Sequence, residues 1–337
     1  MASNKRRVIM YYVGIDVSKN KLDICLLYDG VKGKRKTKSL LNNEHSACML
    51  IAWLAKYIPA LQQVNIVMEA TGVYHERLAY SLHQAGGRIA IANPLRVRDF
   101  AKGMGILTKT DKVDAYILAC YSALKQPDVW QPPPIEIREL KALLCRRDAL
   151  LEDIQRERNR YEKSGSTHTP KRVIESIEAM MHHMKNELAE LEALIAEHIN
   201  QHPNLKKDFE LLTSIKGVGT QIGLNMLIIL RTNTFTRATQ VAAYLGVIPI
   251  AKQSGTSVHG RVRLSKTGPT KIRAKLFMSA LTAVRFNPHI NDLYNRLVNK
   301  GKAKMLALGA AMRKLVHLCY GVLNTQQSYD ENYAIRT

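Results

Sequence analysis

The sequence predicts a mixed α/β domain followed by a largely helical remainder, and three observations predict it. Short apolar, β-branched runs alternate with helix-period segments in the first third; four prolines fall within residues 127–134; beyond them apolar residues recur at gaps of three and four. A length of 337 residues suits about two domains with a sizeable core.

The elements follow in order. "RRVIMYYVGIDV" reads as a strand, "SKNK" as a turn, "LDICLLYD" as its hairpin partner and "KRKTKSLL" as a third strand. "EHSACMLIAWLAKYI" has helical period, "VNIVMEA" is a short buried strand, "VYHERLAYSLHQAG" is a helix ending at glycine, and "RIAIANP" is another strand. "LTKTDKVDAYILAC" begins as a loop and becomes a helix. "PDVWQPPPIEI" then marks a boundary, because proline lacks the donor and the freedom that an element interior needs.

The middle of the chain repeats with coiled-coil spacing. Ile174, Ile177, Met181, Met184, Leu188, Leu191 and Ile195 form one seam; Ile137, Leu140, Leu144, Leu151 and Ile154 form another upstream. "KSGSTHTP" between them is a polar turn, so the two helices fold back as an antiparallel hairpin, and its narrow flanks suit a second copy of the chain. From about residue 205 the chain is helical and basic. "LLTSIKGVGTQIGLNMLIIL" sets Lys216, Gly217 and Gly219 between two apolar segments, as in a helix-hairpin-helix whose turn offers backbone N–H groups to a phosphate; a turn chosen only for its geometry explains the glycines as well. "AKQSGTSVHGRVRLSKTGPTKIRAK" reads as an exposed basic loop, and "IRAKLFMSALTAVRF" and "KMLALGAAMRKLVHLCYGVL" as helices before a mobile tail. The boundaries expected are 1–130, 131–203, 204–325 and 326–337.

Fifty Lys and Arg against 28 Asp and Glu leave a formal net charge of +22, which repels itself unless the partner is a polyanion; nucleic acid is the commonest. Cys25, Cys48, Cys120, Cys145 and Cys319 stand singly in apolar contexts and read as reduced core residues, not zinc ligands. The first apolar run stops at Asp16, too soon for a secretory signal. The most apolar window near the C-terminus is broken by Arg313 and Lys314, so no membrane span and a cytoplasmic location are expected.

Four carboxylates carry the chemistry. Asp16 ends the first strand, Glu69 ends a later one, and both emerge at one sheet edge if those strands are neighbours. Asp111 and Asp114, three apart, share a helix face where like charges repel unless something positive sits between them. Four oxygen donors without His or Cys suit a hard divalent cation, Mg²⁺ above others, one or two in number. Asp23 is expected only to open a strand, and Asp99 has no acidic partner within a turn.

"YVGIDVSKNKLD", "MEATGVYHERLAYSL", "NPLRVRDFAKGMGILTKTDKVDAYILA", "LTSIKGVG", "AAYLGVIP", "SGTSVHG", "SKTG" and "LGAAMRKLVHLCYGVL" together closely resemble the DEDD transposases of bacterial insertion sequences, the family numbered one hundred and ten, whose relatives are the Piv-type DNA invertases. The resemblance covers nearly the whole chain. It implies a RuvC-like, RNase H-type catalytic domain over 1–130, a coiled-coil dimerisation hairpin over 131–203 and a C-terminal transposase domain over 204–325. Asp16, Glu69, Asp111 and Asp114 fall on the family's metal-binding tetrad and Ser254 on its serine nucleophile. It further implies donor and target DNA as substrates, a structured bridge RNA as guide, and a dimer or tetramer.

A serine hydroxyl needs a base or metal to act at neutral pH, and its attack would leave DNA joined through phosphoserine, a link that stores the phosphodiester for strand exchange. Gly255 beside Ser254 permits close backbone approach to a phosphate, while Arg261, Arg263 and Lys266 suit the flanking nucleic acid. Thr256, Ser257 and Ser265 are further hydroxyls among which composition does not choose. Three rivals stand beside this reading. A sugar-kinase or actin-like ATPase shares the "VGIDVSKNKLD" opening but needs glycine-rich phosphate loops that are not found. A metal-dependent junction-resolving nuclease would use the tetrad and water, leaving the serine loop unexplained. A nucleic-acid-binding protein with a dead acidic site would not need all four carboxylates.

Overall fold

The computed structural model describes residues 10–332 apart from 29, 71, 107, 109, 252, 255–257, 260 and 261; at 253, 254, 258 and 259 it describes the backbone. The chain divides into two compact units, Met1–Pro132 and Pro133–Thr337.

In the first unit β1 (Tyr11–Val17), β2 (Lys21–Leu27) and β3 (Arg35–Leu41) are followed by α1 (Ser46–Leu54), β4 (Val64–Glu69), α2 (Glu76–Gln84), β5 (Arg88–Ala92), α3 (Pro94–Gly103) and α4 (Asp111–Lys125). Among the described residues, these five strands form one sheet in the order β3-β2-β1-β4-β5. The first three pair antiparallel, and β4 and β5 run parallel to β1 because the chain returns through α1 and α2. An antiparallel meander extended by parallel strands, with helices on both faces, is the mixed α/β arrangement expected of the first domain.

Strand alternation divides the core into two layers. Val13, Ile15 and Val17 of β1, with Leu22, Ile24 and Leu26 of β2, pack with Leu50 and Leu54 of α1 and Leu78 and Leu82 of α2. The opposite face carries Cys25, Leu27 and Val67, covered by Ala115, Leu118, Ala119 and Cys120 of α4. The proline-rich stretch closes this unit: Trp130 donates its backbone N–H to the Ile89 carbonyl at 2.6 Å and sets its ring edge-on to Tyr80 at 5.2 Å.

The second unit comprises α5 (Ile135–Ser164), α6 (Lys171–Gln201), α7 (Pro203–Thr213), α8 (Thr220–Thr232), α9 (Ala238–Tyr244), the two-residue strands β6 (Pro249–Ile250), β7 (Gln253–Ser254), β8 (Val258–His259) and β9 (Arg263–Leu264), then α10 (Thr270–Phe286), α11 (Pro288–Asn299) and α12 (Lys304–Thr325). The segment expected as a plain basic loop thus contains two short antiparallel pairs, β6 with β9 and β7 with β8. At two residues each, these strands are too short for alternation to give a strand signal.

Helices α5 and α6 pack along each other. The α6 seam is buried or half-buried from Ile174 to Ile195, but α5 departs from its expected stripe: Leu150 is buried and Leu151 is exposed, while Arg147 takes an inward position after Leu144. Helix α12, long and apolar enough by composition to cross a membrane, lies inside the core of this unit, with Ala307, Ala311, Leu315, Val316 and Cys319 inaccessible. Two cysteines differ from the sequence reading: Cys48 and Cys145 are exposed, each one position off the buried Ala47 and Leu144, and only Cys25, Cys120 and Cys319 are core. The expected mobile tail is tied down as far as Glu331. Tyr329 accepts no freedom there: its N–H donates to Ser214 Oγ at 2.9 Å, and its hydroxyl donates to Asn287 Oδ1 at 2.8 Å and lies 2.8 Å from His289 Nδ1.

Candidate active site

Glycine at position 14 sets the distance between sheet and helix. A Cβ there would stand 2.7 Å from the Leu118 carbonyl carbon and collide with the backbone of Ala115 and Ala119, so α4 lies directly on β1. Asp16 is two residues further on the same face. The parallel register pairs Ile15 with Met68, which carries Asp16 next to Glu69 at the strand ends. Thr110 caps α4, its hydroxyl accepting from the Val113 N–H at 3.3 Å, so Asp111 and Asp114 both fall in the first turn, where the helix dipole favours negative charge.

All four carboxylates line one cleft of about 490 Å³, with Arg98 and Lys102 of α3 on its wall. They also feel one another. Asp16 is pushed up to about 6, first by burial and then by the charges of Asp114, Asp111, Glu69 and Asp23. The donor set therefore fits a hard divalent cation in kind. Among the described residues no three acidic, His or Cys side chains stand close enough to form a ready-made metal cluster.

Asp23 has a larger place than the sequence suggested. It is 4% exposed, directly opposite Asp16 across β1 and β2, accepts from the Ser39 hydroxyl at 2.6 Å and pairs with Lys21 at 2.8 Å. Lys21 also reaches Asp111 at 3.7 Å. The legible signal was alternation: Asp23 shares a face with Cys25 and Leu27 and thus with α4. Asp99 is exposed and pairs with Lys102 at 3.6 Å.

The other expected residues belong to the second unit. Ser254 ends β7, its backbone paired with Val258, and its side chain lies outside the described residues, as do Gly255, Thr256, Ser257 and Arg261. Arg263 in β9 and Lys266 after it are exposed. The base of this loop is held by two glycines with positive φ. Gly246 (φ 70°) leaves room for the Thr267 backbone, where a Cβ would stand 2.9 Å from its nitrogen, and Gly268 (φ 95°) does so for the Tyr244 carbonyl. "YLG" and "SKTG" are thus partners in packing.

Lys216, Gly217 and Gly219 form the turn between α7 and α8. Gly217 has φ 99°, and a Cβ there would lie 2.5 Å from the Ala283 side chain, so geometry alone requires it. Gly219 begins α8 in open space with no side-chain cap. Lys216 holds Glu331 at 2.6 Å, and its carbonyl accepts from Asn287 Nδ2 at 3.2 Å.

Comparison with known proteins places this arrangement. Residues 13–164 match the family model "DEDD_Tnp_IS110: Transposase", and residues 209–295 match "Transposase IS116/IS110/IS902 family". The chain is 31% identical over 323 residues to the pilin gene-inverting proteins of Moraxella lacunata and Moraxella bovis, covering 95% of this chain and 98% of each of theirs. It is 27% identical over 159 residues to an uncharacterised 43.6 kDa protein of insertion element IS110 from Streptomyces coelicolor, covering 47% of this chain and 38% of that one. A Thermus thermophilus RuvC structure, 14% identical, aligns with 36% of this chain and 99% of its own at a TM-score of 0.26. With near-complete relatives above 30% identity and two transposase models matched in order, the chain belongs to the IS110 family of DEDD transposases, enzymes that recombine DNA.

Proposed function

We propose that the protein cuts and rejoins donor and target DNA under the guidance of a structured bridge RNA, using the DEDD cleft and a serine nucleophile. The observation that carries the reading is the convergence of Asp16, Glu69, Asp111 and Asp114, from two strands and one helix, on a single cleft with cations on its wall. Those four carboxylates would hold Mg²⁺, which when bound neutralises phosphate charge. The chain's own residues do the rest. Arg98 and Lys102 attract the DNA backbone into a cleft that would otherwise repel it. Lys21 draws charge from Asp23 and Asp111 and keeps the rim of the cleft from becoming purely acidic.

Ser254 supplies the nucleophile. Its Oγ forms a bond to phosphorus as a bond from phosphorus to a sugar oxygen breaks; the serine proton passes to a base, and the leaving sugar oxygen takes up a proton as a free hydroxyl. Reversal onto a different strand restores the phosphodiester and the serine. Arg263, Lys266, Lys216, Gly219 and, by sequence, Arg261 would hold nucleic acid around this chemistry. The formal net charge of +22 is compatible with binding both nucleic acids and does not tell RNA from DNA.

The experiment is an assay on supercoiled DNA with the copurifying RNA sequenced alongside. Wild-type protein should give recombinants and a protein–DNA adduct, with an element-derived RNA bound. Ser254→Ala should lose both products while still binding DNA. Nicking or cutting that persists without an adduct in either protein would favour the junction-resolving nuclease instead.

A further inference from the structure

One buried cation in the second unit is left without a full set of partners. Arg147, on α5, is only 5% exposed. One of its terminal nitrogens donates to Asp148 Oδ1 at 3.0 Å, but the other oxygen of that carboxylate is taken by Lys275 at 2.6 Å, so two cations share one anion. The Arg147 Nε–H, itself out of solvent, has no partner among the described residues. A buried donor on an incompletely balanced charge costs free energy.

That arginine lines a pocket of about 440 Å³. Its floor is apolar, formed by Ile195 and Ile199 of α6 and Leu224 of α8. Phe209 stands beside them, and Gly223 leaves room for its ring, since a Cβ there would be 3.2 Å from it. The rim carries Lys206 and Thr220, the first residue of α8, a 13-residue helix whose N-terminus has no side-chain cap. Two carboxylates, Glu192 and Glu210, complete the rim.

We propose that this pocket takes a single unstacked nucleotide, guanine by preference, from the nucleic acid on which the protein works; the proposal rests on that reading of its partner. A planar base fits an apolar floor and an aromatic ring. Of the bases, guanine pairs acceptors on one edge, which an arginine donor satisfies, with adjacent N–H donors that a carboxylate accepts. Its phosphate has Lys206 and the uncapped start of α8 to receive it. A free inorganic anion would satisfy the cations but would face two glutamates and leave the apolar floor wet. A purely apolar ligand would leave the arginine unanswered.

The test uses the full chain, with GMP, dGMP, AMP, CMP, UMP and inorganic phosphate measured by equilibrium dialysis and by thermal shift. GMP or dGMP should bind more tightly than the other nucleotides and than phosphate, their ratio telling whether RNA or DNA supplies the nucleotide, since only a contact to the 2′-hydroxyl distinguishes them. Ala196→Trp, a substitution at an exposed rim position, should weaken that binding by about tenfold or more while circular dichroism stays unchanged. Asn200→Trp, also exposed on the rim, serves if the first variant does not fold. Phosphate binding as tightly as GMP, no nucleotide binding, or full binding by the filled pocket would each overturn the proposal. Recombination by wild-type protein that binds no nucleotide overturns this pocket alone; nucleotide binding without recombination overturns the functional reading alone.

Discussion

Single atoms decide much of the site. Gly14 bears no side chain because α4 occupies the space a Cβ would need, and the same closeness brings Asp111 and Asp114 down to Asp16 and Glu69. Gly14→Ala should therefore lower the stability of the first unit by about 1–3 kcal/mol through overpacking, and remove DNA cutting although every carboxylate is retained. Thermal denaturation together with a plasmid assay checks both; a variant that cuts normally would mean that the helix-to-sheet distance is not critical. Asp111→Asn and Asp114→Asn should behave differently, abolishing cutting with unchanged melting and with DNA affinity largely kept, because they remove charge and no packing. Gel-shift and cutting assays on each separate the two effects, and full activity in both would refute a metal role for this helix turn. The four carboxylates were legible because strand-end and helix-turn positions can be read from local pattern. Asp23 was not read as a neighbour of Asp16, since that depends on a pairing that only the sheet register establishes.

Among elements, the α5–α6 pair shows where sequence periodicity stops being informative. The expected α5 stripe leaves a gap of seven residues between Leu144 and Leu151, and the structure fills it with Arg147 and moves the next apolar contact to Leu150. An apolar template cannot register a charged residue at an inward position, though the gap itself marked the place. Asp148 is the anion that makes the position tolerable. Hydrogen bonds and charges from Lys275 and Arg147 outweigh its burial and hold its carboxyl below the ordinary range. A depressed folded-state value stabilises the fold above the unfolded carboxylate range, near pH 4, and that contribution fades as pH falls through the lower folded value. Asp148→Asn should thus cost about 1.5–3 kcal/mol at neutral pH, with the gap to wild type narrowing as melting is repeated toward pH 3. A gap independent of pH would show that the loss is one of shape. The α7–α8 turn offers a second test at this scale. Glu331 occupies the Lys216 ammonium at 2.6 Å, the group proposed to meet phosphate. Glu331→Gln should raise nucleic-acid affinity modestly and Lys216→Ala should lower it, with a shallower dependence on salt; if neither changes the salt slope, Lys216 does not contact phosphate.

For the molecule as a whole the remaining issue is how many chains act together. The α6 residues facing α5 are buried or half-buried, yet a second apolar row on the same helix stays in solvent: Val173 at 46%, Met180 at 51% and Leu194 at 51% exposed, separated by whole heptads. Seven-residue spacing returns to one side of a helix every two turns, so these three side chains share one side of α6, with Glu187 at the heptad position between Met180 and Leu194. The length of this row, about 30 Å at 1.5 Å per residue, suits a helix from another copy of the chain. A net charge of +22 opposes such self-association, and bound nucleic acid would relieve the repulsion. Replacing Met180 and Leu194 with Glu should therefore reduce the oligomer seen by light scattering, most clearly in the presence of nucleic acid, while leaving helix content and melting unchanged because neither side chain is part of the core. Leu188→Asp with Leu191→Asp should instead unfold the α5–α6 pair, since those residues are half-buried on its inner side. If the outer double variant scatters light as wild type does, the exposed row is not where copies meet, and recombination by that variant at normal rate would confirm that the active assembly forms elsewhere.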